Sequence, residues 1–231
     1  MTSNNGDQFS ASASALGYIY QCRYALYEAL RRLRQNQEFL VSIETLDDVV
    51  FEEIGEAAEL LQTKHHVNNT CNLTDASVEL WKTLRIWCER LENNEIGEGA
   101  TLFLVTTATI GSGAAPSFLK GDENRNIESA KERLNSTAST STNTTNASAY
   151  AAYNRMTDAA KNDLLNMVYI LDSSPDIVNI EDNLKEVLFY AVKTEFLESL
   201  LQRLEGWWFK RVIRQLKIGD SDSILDKEIT A

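Results

Sequence analysis

Three residues of this chain have the types and spacing to do phosphodiester chemistry: Asp48, Gln62 and Lys64. The segment Glu59-Leu-Leu-Gln-Thr-Lys64 reads as a strand, and a strand alternates its faces, so Gln62 and Lys64 point the same way. Asp48 opens the preceding strand. If the two strands pair, all three side chains meet at one sheet edge. Asp48 and Gln62 would then offer hard oxygen ligands to a divalent cation, most often Mg²⁺. The cation would polarise a phosphate and lower the pKa of a bound water. Lys64 would orient or deprotonate that water and offset charge in the transition state. Spacing alone permits such a site without establishing it, because an exposed lysine on a half-buried strand and a hairpin aspartate look the same. Glu44, ending the strand before the turn, is a candidate auxiliary ligand, and Asp47 reads as a turn residue.

The elements that must position these residues are legible from periodicity. Residues 13–36 read as a helix, with Ile19, Leu26, Leu30 and Leu33 at helical spacing and Arg31, Arg32 and Arg34 near its C-terminal end. Residues 39–44 and 49–51 are short strands around a turn at Leu46-Asp47-Asp48, and Gly55 marks the hairpin before the strand at 59–66. Thr74-Asp75 begins a helix to about Glu92, whose core face carries Val78, Trp81, Leu84, Cys88 and Leu91. Thr101-Leu-Phe-Leu-Val-Thr106 suits a buried strand. The expected fold class is α/β, with a small mixed central sheet flanked by helices and a mostly helical C-terminal portion. The expected organisation is a core over residues 10–115, a helical extension over 116–218 and a flexible tail from 219 to 231. Within the extension, 126–134, 150–166, 180–192 and 194–217 read as helices. Residues 167–171 are a strand candidate, and Asn135 to Ser148 a Ser/Thr/Asn-rich loop or linker.

The constellation resembles the PD-(D/E)xK nuclease superfamily in its Mrr-like form, in which Gln takes the place of the second acid. A first-helix motif of the G-aromatic-x-aromatic kind precedes it there, as does Gly17-Tyr-Ile-Tyr-Gln21 in this chain. One branch is more similar: the double-stranded DNA nuclease domain of effectors in CD-NTase-associated antiphage defence. The resemblance runs through Ile43-Glu44 with Asp47-Asp48, Leu61-Gln-Thr-Lys-His-His66 and Leu80-Trp-Lys-Thr-Leu84. It continues through Ser139-Thr-Ser-Thr-Asn143 and Tyr169-Ile-Leu-Asp172 to Leu204-Glu-Gly-Trp-Trp-Phe209, covering most of the chain. It implies a restriction endonuclease-like core that cleaves double-stranded DNA with Mg²⁺ (Mn²⁺ as a substitute) as an antiphage effector. Control would come from homo-oligomerisation or from another defence protein, a sensor or an ATPase. Typical Mrr-like enzymes carry Glu where this chain has Gln21, so Gln21 is expected to line the site and orient Lys64 or a water. His66, on the Lys64 face, and Arg85 are expected to approach substrate phosphates. The rival readings are a non-catalytic adaptor of nuclease fold, docking a partner through its helical C-terminal half with Trp207 and Trp208, and an RNA nuclease.

Composition bounds these readings. The net charge of −12 speaks against a broad nucleic-acid surface. The polar N-terminus and the lack of any run near ~18 apolar residues point to a soluble, cytoplasmic protein without a membrane span. Cys22, Cys71 and Cys88 lack metal-type spacing and read as buried or inert thiols. His65 and His66 lie on opposite strand faces, which disfavours zinc. Gly111-Ser-Gly113 lacks the Lys-Ser/Thr of a nucleotide-phosphate loop. Arg31, Arg32, Arg34, Lys82, Arg85 and Arg90 fit a DNA groove or a solvated helix face. Lys210, Arg211, Arg214 and Lys217 form a basic helix end beside Trp207 and Trp208, read here as packing or a protein contact.

Overall fold

The computed structural model describes residues 11–53, 58–65, 71–219 and 222–230. The expected hairpin at Gly55 and the expected phosphate contact of His66 lie outside the described residues. The chain opens with α1 (Ala11–Arg34), a proline-free helix with three arginines in its last turn, where positive charge suits the helix dipole. The strands β1 (Leu40–Ile43), β2 (Val49–Glu52) and β3 (Glu59–Lys64) follow, then a short β4 (Asn72–Leu73) and α2 (Val78–Glu92). Next come β5 (Thr101–Thr106) and a short β6 (Thr109–Ile110). The second half holds α3 (Ile127–Thr140), α4 (Ala147–Arg155), α5 (Asp158–Met167), β7 (Val168–Leu171), α6 (Asn179–Leu188) and α7 (Thr194–Ile218), and ends with β8 (Ile224–Leu225) and α8 (Asp226–Thr230).

A mixed six-stranded sheet in the order β7-β5-β3-β2-β1-β8 forms the centre, with β4 and β6 in a separate parallel pair. The strands β3, β5 and β7 run parallel, whereas β2, β1 and β8 pair antiparallel. Strand alternation sends successive side chains into two cores. Leu60, Leu102, Leu104, Val168 and Ile170 pack with Trp81, Trp87, Leu134, Tyr153 and Leu164 from the α2–α5 layer. Leu61, Val105, Val49, Phe51 and Ile43 pack with Leu26, Leu184, Leu201 and Trp208 from α1, α6 and α7. The fold is thus α/β, with the sheet between two helical layers.

Three local features differ from the sequence reading. The portion after residue 116 supplies two strands of the sheet: β7, at the expected strand candidate, extends the parallel edge, and β8, which was not expected, extends the antiparallel edge. The segment from 222 is no flexible tail. Ile224 is fully buried beside β1, and Arg211 of α7 is clamped by Asp222 and Glu228 at 2.8 Å each. The Ser/Thr/Asn stretch, expected as an ordered polar loop or a mobile linker, is ordered and more helical than expected. α3 runs on to Thr140, Asn143 caps a 3-10 turn at Thr144–Asn146, and the buried Asn146 amide donates to Ala76 O and to Tyr150 Oη. A buried asparagine needs such partners, so polar composition here marks satisfied packing.

Candidate functional site

The register places the expected residues together. β2 pairs β3 with Val49 opposite Leu61, so Asp48, one residue before Val49, sits beside Gln62. Asp48 Oδ1 accepts from Gln62 Nε2 at 3.0 Å, and Oδ2 accepts from the Thr63 N–H at 2.7 Å and the Thr63 hydroxyl at 3.0 Å. Lys64 Nζ donates to Gln62 Oε1 at 2.9 Å and lies 3.9 Å from Asp48 Oδ2. The Lys64 and Asp48 side chains are about one-fifth exposed, so the cluster reaches solvent at its rim.

Behind this rim lies the residue that sequence reasoning undervalued. Asp47 is a buried hub rather than a plain turn residue: its side chain is 0% exposed. Its Oδ1 accepts from Gln62 Nε2 and from the Asp48 N–H, its Oδ2 accepts from the Trp87 indole N–H at 2.9 Å, and Arg90 Nη1 stands 3.6 Å away. Burial pushes the Asp47 carboxyl up to about 6, against the Trp87 hydrogen bond and the Arg90 guanidinium, which pull it down. Trp87 and Arg90 stand one turn apart on α2, so this helix fixes the back of the cluster. A tryptophan on the buried stripe of a helix needs a partner for its N–H, and that was the available sequence signal.

The other expected site residues divide. Gln21 is buried and donates through Nε2 to the Asp48 carbonyl oxygen, so it positions the Asp48 backbone rather than Lys64. Glu44 adopts a left-handed conformation (φ 55°) at the head of the β1–β2 hairpin and is exposed. Its N–H donates to Asp48 O, a turn contact that leaves its carboxylate outside the cluster's hydrogen bonds. Arg85 lies on α2, donating to Ser148 and standing 3.7 Å from Glu89, with no hydrogen bond to the cluster among the described residues. His65 receives the Ile177 N–H on Nε2 at 3.3 Å and packs on the Tyr20 ring at 4.8 Å, joining β3, α1 and the segment before α6. Several expected groove cations pair with carboxylates: Arg32 with Glu59 and Glu53 and Arg90 with Asp47, both largely covered, and the half-exposed Arg31 with Glu28 on its own helix.

The expected Mg²⁺ ligands do not fit as arranged. Gln62 turns its NH₂ group to both carboxylates and its oxygen to Lys64, so Asp48 and Gln62 do not present oxygens to one point. An amide flanked by two carboxylates takes this orientation for electrostatic reasons. Among the described residues, no group of three or more His, Cys, Asp or Glu side chains gathers to hold a metal. What the cluster offers is one partly exposed ammonium, held by an amide and backed by a buried acid. That arrangement has donors that can receive an anion.

No family model and no curated protein matches the sequence. Solved structures do match in fold. The Acinetobacter baumannii Cap4 SAVED/CARF-domain containing receptor with the cyclic trinucleotide 2'3'3'-cAAA superposes with a TM-score of 0.55 at 15% identity, over 93% of this chain and 43% of that one. The same receptor with 3'3'3'-cAAA gives 0.53 at 14% identity, over 93% and 43%. The Moraxella osloensis Cap4 SAVED/CARF-domain containing receptor gives 0.51 at 13% identity, over 93% and 46%. The chain therefore spans less than half the length of these receptors. No helix among the described residues is long and apolar enough to cross a membrane. These likenesses correct the sequence reading at its centre. The fold is shared with part of these Cap4 SAVED/CARF-domain containing receptors, and on that finding the expected PD-(D/E)xK membership, the DNA endonuclease activity and the hydrolase class are withdrawn.

Proposed function

We propose that this chain is one module of a receptor for cyclic-oligonucleotide second messengers in bacterial antiphage defence, and that its Asp48–Gln62–Lys64 cluster meets a phosphodiester group. The observation that carries the reading is the Lys64 ammonium. It sits at the cluster's rim, spends one hydrogen bond on Gln62 and keeps further donors for an incoming anion. The fold likeness to cyclic-trinucleotide receptors over 93% of the chain supports the receptor context. The phosphodiester has two possible sources, the cyclic messenger itself or the backbone of double-stranded DNA. In either case the module works with the remaining parts of such a receptor, on the same or on another polypeptide.

The test is fluorescence anisotropy with two probes, labelled 3'3'3'-cAAA and a labelled DNA duplex, on the wild type and Lys64→Ala. The expected result is that, for one of the two probes, binding falls about tenfold or more in Lys64→Ala, the size of one charge-assisted hydrogen bond. The probe that responds identifies the source. Binding of neither probe, or equal affinity in the variant, overturns the proposal.

A further inference from the structure

The expected basic helix end is not uniform: the structure sorts its cations into two groups. Arg211 is 7% exposed and belongs to Asp222 and Glu228. Trp208 is fully buried, its indole N–H donating to Cys22 O at 2.9 Å, so it anchors α7 to α1. Arg203, Lys210, Arg214 and Lys217 remain on the exposed side of α7. Their spacing of 7, 4 and 3 residues places all four within an arc of about 60°, over about 21 Å of helix. Arg214 stays 63% exposed while touching Asp222 at 3.3 Å, and the other three have no ion-pair partner among the described residues. From Gly206 to Ile218 the helix carries no acidic residue, in a chain of net charge −12. Two of the three carboxylates of its first half are engaged elsewhere, Glu198 with Lys185 and Glu205 with Arg23.

We infer that this ridge of α7 docks duplex nucleic acid along its phosphate backbone. The partner follows from charge and length. Phosphates on one strand advance about 3.4 Å along a duplex, so about 21 Å of ridge tracks roughly six of them, more than a ring of three phosphates supplies. Three of the four ridge cations, Arg203, Lys210 and Lys217, have no ion-pair partner among the described residues, which suits sequence-independent backbone contact. The surface is separate from the Lys64 cluster, so its failure leaves the proposed function in place.

The test measures anisotropy of a labelled 20-base-pair duplex on the 231-residue chain from 50 to 200 mM NaCl. The wild type is compared with Lys210→Glu/Lys217→Glu and with Arg155→Glu/Lys193→Glu, which changes net charge equally at exposed positions off the ridge. All four sites are exposed, and unfolding midpoints confirm that the variants fold. The expected result is a slope of log affinity against log salt of about −3 to −4 for the wild type. The ridge variant should lose about two of those units and bind at least tenfold more weakly at 50 mM, while the control variant stays within threefold. Three results overturn the inference: no duplex binding by the wild type at 50 mM, an equal loss in the control variant, or binding to anionic phospholipid vesicles without binding to duplex.

Discussion

Replacing Asp47 by asparagine probes the hidden half of the candidate site, and pH is the variable that isolates it. Burial raises the Asp47 carboxyl from 3.8 to about 6 in the folded protein. Between these values the folded state holds the proton more tightly than the unfolded state, so stability from this group rises as pH falls through 6. Above pH 7 the ionised, buried carboxylate carries a constant cost of about 3 kcal/mol relative to its unfolded form. From pH 8 to pH 5 the relief amounts to about 1.4 kcal/mol for a single group with these two pKa values. The amide of the Asp47→Asn variant cannot titrate and lacks this contribution. Equilibrium urea unfolding of wild type and Asp47→Asn at pH 8, 7, 6 and 5 gives the difference in stability at each pH, and the other carboxylates cancel. The expected outcome is a difference that shifts in favour of the wild type by about 1.4 kcal/mol between pH 8 and pH 5. A difference constant within ~0.3 kcal/mol, below the scatter expected of independent sites, would refute the assignment of Asp47 as a buried, proton-binding hub.

Further outcomes follow from the same contacts. Trp87→Phe removes the indole N–H from a buried carboxylate and should cost about 1.5–3 kcal/mol in urea unfolding, more at pH 8 than at pH 5. Gln215→Leu should cost about 2–4 kcal/mol, because the Gln215 amide both accepts from and donates to the backbone of Ile43, whose polar groups would be left unpaired. Deleting residues 220–231 should destabilise the fold by about 2–5 kcal/mol, since it removes β8 from beside β1 with its fully buried Ile224 and takes Asp222 and Glu228 from Arg211; thermal denaturation reads this directly. Gly17→Ala should be neutral or stabilising by up to about 1 kcal/mol, since an added Cβ meets nothing within 4 Å.

Much of the frame was legible because it rests on local rules. The alternation around Leu60–Lys64 and the apolar run at 101–106 announced buried strands, and the pairing of β2 with β3 brought Asp48 to Gln62 and Lys64 as expected. The rest depended on distant partners. Asp47 looked like a turn residue because nothing local reveals that Trp87, forty positions on, reaches its carboxylate. The C-terminal segment looked frayed because its burial comes from β1 and from Arg211. The Ser/Thr/Asn stretch lacked apolar periodicity, yet Asn143 and Asn146 supply the caps and buried hydrogen bonds that order it. The nuclease reading is overturned by the fold likeness, which local spacing could not reveal. An Asp with Gln-x-Lys suits a metal, but the observed amide orientation gives the oxygen of Gln62 to Lys64 and leaves the carboxylates to its NH₂ group.

The most direct measurement follows both the binding and the fate of a phosphodiester at Lys64. The wild type and Lys64→Ala are incubated with labelled 3'3'3'-cAAA or labelled duplex in buffer containing Mg²⁺. Bound fraction is read by anisotropy and chain integrity by gel or chromatography. The expected result is Lys64-dependent binding with the ligand recovered intact. Strand cleavage by the wild type that disappears in Lys64→Ala would contradict the proposed receptor role.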